Sequence, residues 1–231
     1  MINNTSIRQT GLSGIFDIIV DPRSVIGRLG HRSSWIYPLV VIGAGSMLIG
    51  FINLPLLGRV IGSNLPPGIP EEEIKRTIES ILRYQRIGVY LTPVGVLLKW
   101  LCLSASLFMS CILLDLKADF KHLFGLVSQC GLITFLQELA NFLIIRARGG
   151  LIRTIDDLSP RLGLDLILTG LGKPLMLTLN YFSIFNLWHI VILTFGVASL
   201  CHCTKLRAFV ATIPTWLLPL AFALSLLPFR G

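Results

Sequence analysis

Five long apolar runs divide the chain, at about 35–54, 91–114, 123–145, 182–200 and 209–227. A helix must carry about 20 mainly apolar residues to cross about 30 Å of hydrocarbon, because each backbone donor has to find its acceptor within the segment. Each run meets that requirement. The pattern predicts an all-α, polytopic integral membrane protein, a single domain over 1–231 with five transmembrane helices. An odd number of spans places the two termini on opposite sides. The fourth run has the softest start, since apolar residues extend back to Pro174 and a helix can begin there.

Between the runs, three segments have the spacing of interfacial or amphipathic helices. In 21–32, Asp21 can cap a helix with Pro22 in its first turn; Val25, Ile26 and Leu29 form an apolar face, and Arg23, Arg28 and Arg32 are expected to anchor at the membrane surface. In 70–86, Glu71, Glu72 and Glu73 open a helix and Arg83 and Arg86 close it, both matched to the helix dipole. Ile74, Ile78, Ile81 and Leu82 recur there at helical spacing, a stripe that can lie on lipid or dock a partner. In 160–169, Ser159-Pro160 leads into a leucine-rich stretch that Gly170, Gly172 and Pro174 interrupt.

Composition agrees with lipid as the solvent: 53% of residues are hydrophobic, 14% charged, and the mean hydropathy is +0.76. A water-soluble domain of this size has no core large enough to hide that surface. The net charge of +8 is spread between apolar runs and carries no nucleic-acid motif, so it is read as headgroup anchoring. Basic residues flank both ends of the bundle almost equally; a cytoplasmic N-terminus is preferred because the first span often dominates. No cleavable secretory signal precedes the first run, which is expected to serve as the insertion signal. The five cysteines lie in or at the ends of apolar runs and imply no disulfide framework. Cys201-His202-Cys203 lacks the spacing at which ligands converge on zinc, and neither a metal nor a cofactor is expected.

Charge in hydrocarbon costs at least about 2.5 kcal/mol, so Lys99 in the second run and Glu138 in the third need partners. A hairpin through 115–121 would place both inside the same membrane face, within reach of a direct ion pair. Cys130, Thr134, Gln137, Glu138 and Asn141 fall three and four apart, a polar helix face expected to point into the bundle. Interhelical hydrogen bonding is the ordinary use of such a face, and an ion or proton path is the functional one.

Few ionisable groups in the sequence fall into a catalytic pattern. Glu71-Glu72 followed by Arg76 has the spacing of the paired-glutamate motif of prenyl-peptide intramembrane proteases, and Phe185 with His189 resembles that family's second motif. The third motif, His with Asn or Asp four residues on, is absent, and a dipole-matched helix start accounts for the glutamates. Phosphate-cradling glycine loops, zinc-protease helices and nucleophile elbows are also missing. The chain is therefore read as a non-enzyme. A secondary transporter needs only broken helices and a few buried charges and stays as the alternative.

Pro22-Arg23-Ser24-Val25-Ile26-Gly27-Arg28-Leu29 with Trp35 and Pro38, the proline-rich first loop with its acidic helix, and above all Leu179-Asn180-Tyr181-Phe182-Ser183-Ile184-Phe185-Asn186-Leu187-Trp188 carry a resemblance. With Gly196 and the basic turn at Lys205 and Arg207, they make the chain similar, over nearly its whole length, to the Yip family of Ypt/Rab-interacting membrane proteins, in particular its short bacterial members. The resemblance implies five spans, a cytoplasmic N-terminus and, for a bacterial member, the inner (cytoplasmic) membrane. Eukaryotic relatives bind Rab GTPases; the long N-terminal region expected of them is not present here. What the resemblance implies is a non-enzymatic membrane scaffold or adaptor that binds other membrane proteins or organises lipid.

Overall fold

A computed structural model describes residues 35–65, 70–152, 154, 156–158, 160, 162–163 and 172–225. The segment 21–32 with Arg23, Arg28 and Arg32, and most of 160–169, lie outside the described residues. The described chain is all-helical: α1 (Ile36–Ser63), α2 (Glu71–Leu113), α3 (Phe120–Arg148), α4 (Lys173–Tyr181), α5 (Ile184–Leu200) and α6 (Lys205–Ser225), with single 3-10 turns at Gly149–Leu151 and Asp156–Leu158. Helices α1, α2, α3 and α6 are each long and apolar enough to cross a membrane. Helices α4 and α5, bent by 54° across a short break, make the fifth span when taken together.

Helix α3 is the central post. It packs on α1, α2 and α5, and its first half is buried almost all round, from Leu123 to Val127 and from Cys130 to Ile133. The turn before it is sharp, with Asp115 at φ 57°. Asp119 then caps the helix: its carboxylate accepts from the Lys121 backbone N–H at 2.9 Å and lies 2.9 Å from His122 Nδ1. Close approach is set by small residues. A methyl group on Gly131 would stand 2.9 Å from the Trp100 indole of α2, and Gly196 of α5 leaves no room for one beside Leu126.

Sequence spacing separates an amphipathic helix at 70–86 from a span beginning near 91, but α2 runs through both without a break, 43 residues long. Arg83 to Arg86 interrupt hydrophobicity, not helicity, and the proline in this helix comes later, at Pro93. At 1.5 Å per residue α2 is about 65 Å long, roughly twice the hydrocarbon thickness, so its first part must extend beyond the bilayer. It does so paired with the end of α1. A methyl group on Gly58 would stand 3.2 Å from Leu82 Cδ1, and one on Gly62 3.1 Å from Ile78 Cδ1. The two helices thus form an antiparallel arm.

Candidate functional site

The polar face of α3 meets two neighbours. Toward α1, Ser46 Oγ donates to Glu138 Oε2 at 2.5 Å. Toward α5, Ser183 Oγ donates to Gln137 Oε1 at 3.2 Å. Because Gln137 and Glu138 are successive, their side chains leave the helix about 100° apart and bridge different helices. Thr134 turns its hydroxyl back to the Gly131 carbonyl at 2.8 Å. Asn141 Oδ1 is buried with no hydrogen-bond partner among the described residues.

Lys99 and Glu138 form no ion pair among the described residues, so the direct pairing that the hairpin would allow is not made there. The register explains the difference. Trp100 lies against Gly131, so Lys99, exposed on α2, stands about two turns, roughly 10 Å, from Glu138 along α3. Lys99 instead sits at the mouth of a pocket of ≈ 80 Å³, lined among others by Thr134, Tyr181, His189, Thr215 and Trp216. The pocket exists because the span is broken at Phe182 and Ser183. There Ser183 Oγ accepts from the Asn186 backbone N–H at 3.2 Å, capping α5, while Asn186 Nδ2 donates to the Tyr181 carbonyl at 2.7 Å. Tyr181 in turn donates its hydroxyl to the Trp216 carbonyl at 2.7 Å, in a helix that carries Pro214 and Pro219 within it. His189 Nδ1 is 3.2 Å from the Cys130 carbonyl, and since a carbonyl only accepts, Nδ1 carries the proton. Trp216 Nε1 is buried with no partner among the described residues.

Sequence spacing singled out Lys99, Thr134, Gln137, Glu138 and Asn141; the structure places Glu138 at the α1 contact, Gln137 at the α5 contact and Lys99 and Thr134 at the pocket, and leaves Asn141 outside all three. Thr215 and Trp216 escaped notice because they face the pocket across a bundle interface that periodicity cannot register. Ser183 did carry a signal, a serine opening an apolar helix.

Elsewhere, Ile78 and Leu82 face α1, and Ile74 and Ile81 are half-buried on the same arm. Glu71, Glu72 and Glu73 are exposed in the first turn of α2, with Arg76 Nη2 3.2 Å from Glu72 Oε1. They open a helix at the end of the arm, remote from His189 in the bundle, so the spacing that resembles a protease motif does not converge into a site. No group of three or more His, Cys, Asp or Glu among the described residues is arranged to hold a metal ion.

Comparison with known proteins gives one result. A family model described as the Yip1 domain matches residues 16–227, nearly the whole chain. No curated protein and no solved structure matches it.

Proposed function

Since this chain belongs to the Yip1 domain family, we propose that it is a non-enzymatic integral membrane adaptor, one that holds another membrane protein through the arm formed by α1 and α2. The observation that carries this reading is the length of α2. A helix of 43 residues outruns the bilayer by several turns, and its projecting part is exposed and charged at Glu72, Lys75, Arg76, Glu79 and Arg83. A rigid two-helix arm with alternating charge suits recognition of a partner near the membrane surface, where charge complementarity sets specificity and encounter rate. Ile78 and Leu82 serve this indirectly by fastening α2 to α1, while Ile74 and Ile81 border the exposed face. With the N-terminus in the cytoplasm, the arm stands on the far side of the membrane, which in a bacterium is the outer face of the inner membrane.

Purification of the full chain in mild detergent tests the reading. A stoichiometric membrane-protein partner is expected, released by Arg76→Glu with Arg83→Glu at an unchanged unfolding temperature. Recovery of a monomer alone, or retention of the partner by the variant, contradicts it.

A second reading, conduction of a proton or ion, draws on the Lys99 pocket and the neighbouring Glu138. It requires flux in reconstituted vesicles that Glu138→Gln or Lys99→Met abolishes in a folded protein. Absence of flux removes it.

A further inference from the structure

A second pocket, ≈ 180 Å³, opens between α1 and α3 near their C-terminal ends, outside the polar cluster described above. Its walls are Ile52, Pro55, Leu56 and Ile145, and its charged lining is Arg59 and Arg146, with no acidic residue. Depth in the membrane follows from α3. Lys121 and Arg146, at its two ends, are about 38 Å apart along the axis, the hydrocarbon thickness plus a margin at each side. Arg146 and the pocket therefore lie at headgroup level, with the apolar walls continuing toward the acyl region.

The sequence builds the pocket from a proline and two arginines. Pro55 cannot donate to the backbone ladder of α1 and loosens the turn before it. Arg146 reaches across and donates from Nη2 to the Ile52 carbonyl at 3.1 Å, while its guanidinium carbon lies 5.6 Å from the centre of the Phe142 ring. Held by that bond and that ring, Arg146 keeps further N–H donors free. Arg59 is exposed and forms no ion pair among the described residues. The C-terminal end of α3 would repel an anion, but Arg146 and Arg148 in its last turn offset that end.

We propose that this pocket seats the phosphate of an anionic phospholipid, gripped between Arg59 and Arg146, with the glycerol and upper acyl chains against Leu56 and Ile145. Guanidinium groups match the geometry of a phosphodiester and are favoured where charge must work at the edge of hydrocarbon. Bilayer depth selects a lipid phosphate over a dissolved one. The inference depends on the chain spanning a bilayer and is independent of the adaptor reading.

The test uses the full chain reconstituted in phosphatidylcholine vesicles carrying trace spin-labelled phosphatidylglycerol or, separately, spin-labelled phosphatidylcholine. The expected result is a protein-restricted fraction favouring phosphatidylglycerol, a preference that excess inorganic phosphate leaves intact. Arg59→Gln, at an exposed side chain that forms no ion pair among the described residues, should weaken that preference by about fivefold at an unchanged unfolding temperature. The double variant with Arg146→Gln should bring it to parity with phosphatidylcholine. Lys205→Gln with Arg207→Gln, at the other end of the bundle, should retain most of it. Equal restriction of the two lipids, an unaltered preference in Arg59→Gln, competition by inorganic phosphate, or an equal loss in the Lys205 and Arg207 variant overturns the proposal.

Discussion

Ser46 of α1 and Glu138 of α3 are joined by a hydrogen bond of 2.5 Å, and this contact, not an ion pair with Lys99, is what the carboxylate uses inside the bundle. A hydroxyl donor satisfies a carboxyl group whichever proton state it holds, since a protonated carboxyl still offers an acceptor oxygen. Ser46→Ala leaves the group unsatisfied and should destabilise the protein by about 1–3 kcal/mol, measured by unfolding in detergent. Glu138→Gln, which keeps an acceptor oxygen, should cost less.

Ser183 is fully buried and makes two bonds at once, capping α5 and reaching Gln137. Ser183→Ala should cost about 1–2 kcal/mol, more than Gln137→Ala, because the alanine loses the cap as well as the bridge. Equal losses in the two variants would mean that the cap contributes nothing.

Gly131 touches the Trp100 indole, so side chains larger than hydrogen must push α2 from α3. Gly131→Leu should destabilise the bundle by about 1–3 kcal/mol or more, and Gly131→Leu with Trp100→Ala should recover part of the loss. Additive effects would contradict direct contact.

Asp119, outside the membrane, has its carboxyl held below the ordinary range, first by the Lys121 backbone N–H and then by His122. Its folded pKa lies below its unfolded one. The stabilisation is therefore complete above the unfolded value, near 3.9, and is lost as pH falls through the folded value. Asp119→Asn should flatten the stability profile in that acid window, lowering stability near neutrality, where the charged cap contributes fully, and leaving it unchanged below the folded value, as read from unfolding temperatures across pH.

Much of this architecture is legible in the sequence because membrane spans are written as length and hydrophobicity, and Ile36–Ser63 or Phe120–Arg148 satisfy both. What the pattern hides is register and continuity. Arg83 to Arg86 look like the end of one helix, yet a helix continues through polar residues whenever none of them breaks the backbone, so α2 joins two expected segments. Lys99 and Glu138 look like partners across a hairpin, yet the Trp100–Gly131 contact fixes the slide of α2 on α3 and sets them about two turns apart. The Lys99 pocket depends on Tyr181, His189, Thr215 and Trp216 converging from different helices, information that one-dimensional spacing does not contain.

A bundle of five spans, with the α1–α2 arm emerging on one side, fixes the side of the membrane on which each connection must lie. Single cysteines at positions 79, 117 and 205, placed in a cysteine-free background, can be labelled with a membrane-impermeant thiol reagent in sealed vesicles of one orientation. Position 79 should react from one side only, and positions 117 and 205 only from the other. Labelling of 79 and 117 from the same side would contradict the span through α2 and the topology built on it.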